Sequence, residues 1–136
     1  MRIYLCAGTS RAEEMEVIRG GIESSNHDVV SGWHRMRSPR LELDDPRLEQ
    51  RARRDLADIR EADIVIAFLG SDGSQRGGRH FELGYAVALR RPVWLVGKAE
   101  HAFHTLVPEC ARFENWEQCL TYLGGPWFTS LREWRG

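Results

Sequence analysis

The stretch that most constrains the fold runs from Asp63 to Val96. Ile64-Val65-Ile66-Ala67-Phe68-Leu69 is an unbroken apolar run of strand length, and a loop rich in Gly, Ser and Asp follows over 70–78. Helical spacing comes next: Phe81, Tyr85 and Leu89 share one face, and Leu83, Ala86 and Val87 widen it. A second apolar run, Pro92-Val93-Trp94-Leu95-Val96, closes the unit. Strand, glycine loop, helix and strand make a βαβ crossover, so the two strands are expected to be parallel neighbours. Ligands of such sheets sit outside the carboxyl ends of the strands. Glu82 falls there, expected in the first turn of the helix.

The remaining segments repeat the alternation. Arg2-Ile3-Tyr4-Leu5-Cys6-Ala7 reads as a strand and Ala7-Gly8-Thr9-Ser10 as a turn, with Thr9 or Ser10 as helix cap. Residues 11–25 have helical spacing, with Met15, Ile18 and Ile22 on one face. A turn at Asn26-His27-Asp28 leads to a second strand over 29–33. His34 to Pro46 is irregular and charged. Asp44-Asp45-Pro46 reads as a helix start with proline at the first position. That helix is expected to run to about Glu61 on a face of Leu48, Ala52, Leu56 and Ile59, with Asp55 at its border. A short strand over 110–113 and a helix from Asn115 to Leu123, stopped by Gly124-Gly125-Pro126, complete the order. The elements β-α-β-α-β-α-β-(β)-α specify an α/β sandwich on a parallel sheet of four or five strands.

Composition narrows the function classes. A chain of 136 residues, 42% hydrophobic, is read as a single domain over 1–136 with one core. A net charge of −1 favours neither disorder nor general nucleic-acid affinity. The three cysteines have no C-x-x-C spacing, and no apolar run reaches spanning length, which reads as a reduced, cytoplasmic protein away from membranes. His101 and His104 lack a convincing metal set, so no metal is expected. The tail 125–136 carries Trp127, Phe128 and Trp134 and is expected to pack on its own domain or on a partner.

Several motifs in order resemble the nucleoside 2-deoxyribosyltransferase superfamily. Ile3-Tyr4-Leu5-Cys6-Ala7-Gly8 is similar to its opening strand and turn. Arg54-Asp55-Leu56 with Ile59 and Ala62-Asp63-Ile64-Val65-Ile66-Ala67 resembles its helix and central strand. Gly78 with Phe81-Glu82-Leu83-Gly84-Tyr85-Ala86 and Pro92-Val93 resembles its signature, in which a glycine precedes a glutamate nucleophile. The resemblance covers most of residues 2–97. It implies a doubly wound, flavodoxin-like sheet of order 2-1-3-4-5 with helices on both faces, a homo-oligomer, and no metal or cofactor. The same superfamily contains hydrolases of nucleoside monophosphates. The chain departs from the transferase pattern at two places. Arg76 and Arg79, with His80 beside the latter, stand where transferases carry an aspartate and a threonine; Asp72 is a candidate replacement for the aspartate. Positive charge there suits a 5′-phosphate.

The chemistry follows from the residue types. Cleaving a C–N bond at an anomeric carbon passes through an oxocarbenium-like transition state, served by two carboxyl groups with separated proton affinities. Glu82 is the candidate nucleophile, expected to be kept ionised by the helix N-terminus. Asp55 is the candidate proton donor to the leaving base, and Tyr4 is placed to hold Glu82. The amides of Gly8, Thr9 and Ser10, with Gly78, Arg79 and His80, are candidate contacts for phosphate or sugar hydroxyls. Each has a plain structural rival. Glu82 fits as a helix-start residue, Asp55 as an ion-pair partner of Arg51, Tyr4 as core, and Arg79 with His80 as solvated positions. The expected activity is cleavage or transfer at the N-glycosidic bond of a nucleoside or its 5′-monophosphate, with monophosphate hydrolysis placed first. The alternatives are base exchange by a transferase and a nucleotide sensor that turns nothing over.

Overall fold

Residues Ile64–Phe68 form the central strand, β3, and all five are buried. The computed structural model describes residues 1–35, 41–70 and 77–124. Strand β1 spans Arg2–Cys6, β2 Asp28–Val29, β4 Val93–Val96 and β5 Arg112–Phe113. All pairings are parallel and the order is β2-β1-β3-β4-β5, the doubly wound arrangement. Helices α1 (Ala12–Ser24), α2 (Pro46–Glu61), α3 (Gly78–Ala88) and α4 (Trp116–Leu123) connect or follow the strands. α1 packs with α4 and α2 with α3, as right-handed crossovers on opposite sides of the β1/β3 switch point require. The core is the sheet itself: Ile3, Leu5, Ile66, Trp94 and Leu95 are almost fully buried. Burying such a side chain contributes about 1.5–3 kcal/mol.

The local signals act as follows. Asp45 caps α2 by accepting the Arg47 amide at 2.9 Å, and Pro46 occupies the first position, where a missing N–H goes unfelt. Met15, Ile18 and Ile22 turn inward from α1. Asn115 caps α4 through the Gln118 amide. Gly77 precedes α3 with φ 78°, a left-handed backbone that costs a side-chain-bearing residue about 1–2 kcal/mol.

Several boundaries differ from expectation. Neither Thr9 nor Ser10 caps α1; both lie in a 3-10 turn, Thr9–Arg11, that delays the helix to Ala12. On α2, Ala52 is exposed and only Ile59 is fully buried. Phe81 is 68% exposed, so α3 turns Leu83 and Ala86 inward instead. Cys110 and Ala111 belong to a 3-10 turn, which shortens β5 to two residues.

β2 also stops after two residues, and the reason is specific. The Leu5 amide donates to Ser31 Oγ at 3.1 Å, and the Leu5 carbonyl accepts the Trp33 indole N–H at 2.7 Å. Side chains thus occupy the groups that a longer β2 would pair with. Ser31 Oγ in turn donates to His34 Nε2 at 2.7 Å, and His34 Nδ1 donates to Glu16 at 2.8 Å. The Ser-His-Glu order resembles a hydrolytic triad, but Ser31 is wholly buried and its oxygen already accepts an amide. It is a tie between α1, the 3-10 turn Trp33–Arg35 and β1.

Candidate active site

Strand alternation puts Tyr4 and Cys6 on one face of β1, two residues apart. That face meets α3. The Tyr4 hydroxyl donates to Glu82 Oε1 at 2.9 Å, and the Cys6 thiol donates to Glu82 Oε2 at 3.3 Å. Each carboxylate oxygen therefore holds one donor. Glu82 is the fifth residue of α3, in its second turn, because the helix begins at Gly78. The first-turn placement expected from the sequence is corrected accordingly, and so is the expected ionisation. Burial raises the Glu82 pKa to about 7; the bonds from Tyr4 and Cys6 oppose this, and the charge of Asp55 adds to it. Tyr4 is held far above its ordinary range, mainly by burial and then by Glu82, so its hydroxyl remains a donor.

Asp55 comes from α2, and its charge acts on both Tyr4 and Glu82. Its own pKa is raised to about 6, chiefly by burial, with Arg54 and Arg51 opposing and Asp58 adding. Asp55 Oδ1 is buried without a hydrogen-bond partner among the described residues, and Arg54 approaches it only to 3.8 Å. The structure thus brings the Glu82 carboxyl onto Tyr4 and Cys6 of β1 and sets the Asp55 carboxyl close enough for its charge to act on Glu82 and Tyr4, with both carboxyl pKa values raised. Such a set can attack an electrophilic carbon and deliver a proton to a departing group.

The other expected contacts are more scattered. Gly8, Thr9 and Ser10 form the turn after β1, half-buried to exposed, and the Gly8 carbonyl accepts the Arg11 amide at 3.0 Å. Gly78 opens α3 with free space where a Cβ would be. Arg79 turns its guanidinium on the chain itself. Nη1 donates to the Phe68 and Gly70 carbonyls at 3.2 and 3.0 Å, and Nη2 faces Glu100 at 3.4 Å. Glu100 also accepts the Gly70 amide. His80 stands apart from Arg79, its ring 6.0 Å from that of His101 and 5.9 Å from that of His104. The Glu100 and Phe103 amides donate to Nδ1 of His104 and of His101. The proton of each neutral ring therefore sits on Nε2, away from the role of metal ligand. Arg76 and Asp72 lie outside the described residues, as does the tail 125–136.

Two contributors escape the sequence reading. Cys6 is legible in retrospect, since a strand that aims Tyr4 at a residue aims its i+2 neighbour the same way. Glu100, which joins the ends of β3 and β4, leaves no comparable signal. A shallow depression lined by Glu109, Arg112, Gln118 and Tyr122 lies at the β5 edge, away from the carboxyl pair.

The family model for nucleoside 2-deoxyribosyltransferase matches residues 3–116. The chain belongs to the nucleoside 2-deoxyribosyltransferase family. Enzymes of this family cleave or transfer at the N-glycosidic bond of nucleosides or nucleotides. Among solved structures, this family member is similar to the 2-deoxyribosyltransferase of Bacillus psychrosaccharolyticus, at 22% identity and TM-score 0.74, over 96% of each chain. It is also similar to the CMP N-glycosidase BcmB of Clostridium botulinum, at 21% identity and TM-score 0.60, over 90% of this chain and 98% of that one. At these identities the likeness shows the fold alone. No curated protein matches the chain. Among the described residues, no helix is long and apolar enough to cross a membrane.

Proposed function

We propose that this family member cleaves the N-glycosidic bond of a nucleoside or its 5′-monophosphate through a glycosyl intermediate on Glu82. The observation that carries this is the Glu82 carboxylate, held by Tyr4 and Cys6 and electrostatically coupled to Asp55. Glu82 in its ionised form attacks the anomeric carbon; the C–N bond breaks and its electron pair leaves with the base. Asp55 in its protonated form supplies the proton that the base takes up. Water then attacks the same carbon, gives its proton to the now ionised Asp55, and releases Glu82 as a carboxylate. If a second base replaces water, the reaction is a transfer.

Monophosphate hydrolysis remains the first reading, because Arg76 and Arg79, with His80 beside the latter, stand where transferases have an aspartate and a threonine. Its support differs from a bidentate Arg79–phosphate bond. Arg79 is held by two carbonyls and Glu100, so its contribution is field, alongside the amides of the Thr9–Ser10 turn and His80. Base exchange is the second reading, on the ground that the carboxyl pair serves either acceptor.

A homo-oligomer fits the surface. Phe81 on α3 and Phe103 and Leu106 of the 3-10 turn Ala102–Leu106 are 68%, 71% and 63% exposed, apolar side chains that a second copy would cover. Light scattering giving a dimer or larger supports this; a monomer at working concentration removes it.

Liquid chromatography of nucleosides and their 5′-monophosphates, with and without an added acceptor base, tests the activity. Free base formed from the monophosphate alone supports hydrolysis, and exchanged base supports transfer. Binding without product makes the protein a sensor.

A further inference from the structure

The Glu82 carboxylate has four lone-pair positions, and two of them are filled by β1. Tyr4 takes one on Oε1 and Cys6 one on Oε2. A single donor leaves a carboxylate free to turn about its last bond. Two donors from one rigid strand, one on each oxygen, fix its plane. Cys6 is fully buried, among the most enclosed positions of the sheet, and pairs in register with Ala67 of β3. Its thiol therefore has little room to move. Its single proton has two acceptors in reach, Glu82 Oε2 at 3.3 Å and the Arg79 carbonyl at 3.5 Å.

We propose that Cys6 is a positioning residue for Glu82: its thiol, paired with the Tyr4 hydroxyl, orients the carboxylate and favours its ionised form. The proposal rests on the reading of Glu82 as nucleophile. The second acceptor gives the arrangement a further property. While Glu82 is an anion, the charged oxygen is the better partner for the thiol proton. Once Glu82 is esterified to the sugar, its oxygens are poorer acceptors, and the Arg79 carbonyl can take the same proton with a small rotation about the Cys6 side chain. The buried thiol thus keeps a partner in both states, with no orphaned donor in the intermediate. When the ester breaks again, the thiol is in place to receive the returning charge. Burial and the neighbouring Glu82 hold the thiol pKa well above its ordinary value, so the donor is present throughout the neutral range. The titratable groups acting on Glu82 are Tyr4 and Cys6 from β1 and Asp55 from α2.

The test uses the full chain and the substrate that the wild type turns over, reading kcat, KM and the pH profile of kcat/KM. Three variants separate the donor from its volume. Cys6→Ser keeps a donor, Cys6→Ala removes it and leaves space, and Cys6→Val removes it while filling that space. Cys6→Ala and Cys6→Val are expected to lower kcat by about tenfold with KM nearly unchanged, and to move the upper limb of the profile, which Glu82 sets, up by about half to one pH unit. Cys6→Ser is expected to restore both. Wild-type kcat and an unmoved upper limb in Cys6→Ala or Cys6→Val, while Glu82→Gln is inactive, overturn the proposal and leave the nucleophile in place. Equal losses in all three variants with no shift of the limb also overturn it, since a serine then fails to substitute. Near-normal turnover by Glu82→Gln overturns the underlying reading instead.

Discussion

The Tyr4 hydroxyl meets Glu82 Oε1 at 2.9 Å across 78 positions of sequence. This one bond joins the first strand of the sheet to the third helix at the switch point, where a doubly wound fold receives its ligand. It also fixes a division of labour. The phenol stays protonated and donates, so the negative charge of the pair resides on Glu82.

Replacing Glu82 with glutamine keeps the shape and most of the hydrogen bonding but removes the attacking oxygen. Glu82→Gln is expected to fold normally and to lose turnover by about 10³-fold or more. Circular dichroism and initial rates on the purified variant check both halves. Turnover within about tenfold of the wild type removes Glu82 as nucleophile.

The coupled pair predicts the pH dependence. The pKa of Glu82 is raised to about 7 and that of Asp55 to about 6, both chiefly by burial, and the Asp55 charge adds to the Glu82 shift. Above the upper value both groups are ionised and no proton is available to the base. Below the lower value both are protonated and no nucleophile remains. kcat/KM is therefore expected to be bell-shaped, with its maximum between about 6 and about 7. Asp55→Asn removes the alkaline limb and leaves a single acid limb set by Glu82, somewhat below about 7 because the Asp55 charge that added to its shift is gone. An unchanged bell in Asp55→Asn assigns the alkaline limb to another group.

Arg79 ties the end of β3 to the start of α3. Its side chain is 14% exposed and donates to the Phe68 and Gly70 carbonyls. Arg79→Ala removes the guanidinium from those carbonyls and from Glu100 Oε2 and is expected to lower stability by about 1–3 kcal/mol. The loss should extend to nucleoside and monophosphate turnover alike, since the residue acts by holding the loop. Denaturant melts and paired kinetics measure this. Unchanged stability with a selective loss on the monophosphate returns Arg79 to direct phosphate contact.

His34 makes stability depend on pH. Burial lowers its pKa below the ordinary 6.5, with Glu16 opposing. In the unfolded chain the ring takes up a proton near 6.5, whereas the folded ring resists it until lower pH. The unfolded state thus binds more protons in that window. The His34 contribution is fully present above 6.5 and declines as pH falls through 6.5 toward the folded value. The Tm of the wild type is expected to fall more steeply than that of His34→Gln between pH 7 and about 5. Parallel curves assign the decline to other groups.

How far the sequence carries can be judged at particular residues. The apolar run 64–69, the glycine pair 77–78 and the run 92–96 are local patterns, and each determined its element because period and turn chemistry act within a few residues. Their alternation determined the parallel α/β sheet, because right-handed crossovers leave few other solutions, and the family resemblance added its doubly wound order. Tyr4, Asp55 and Glu82 could be nominated from spacing and from the family resemblance. Their ionisation could not, because it depends on desolvation and on charges brought close only by folding. The same holds for Arg79, whose guanidinium reads as free in sequence and is taken by carbonyls of β3 and its exit. It holds also for β2, where Ser31 and Trp33 capture the groups of Leu5 that a longer strand would have paired with. Sequence determined which elements form and in what order. Tertiary structure decided which polar groups find each other, since a hydrogen bond is made by proximity in space and has no period along the chain.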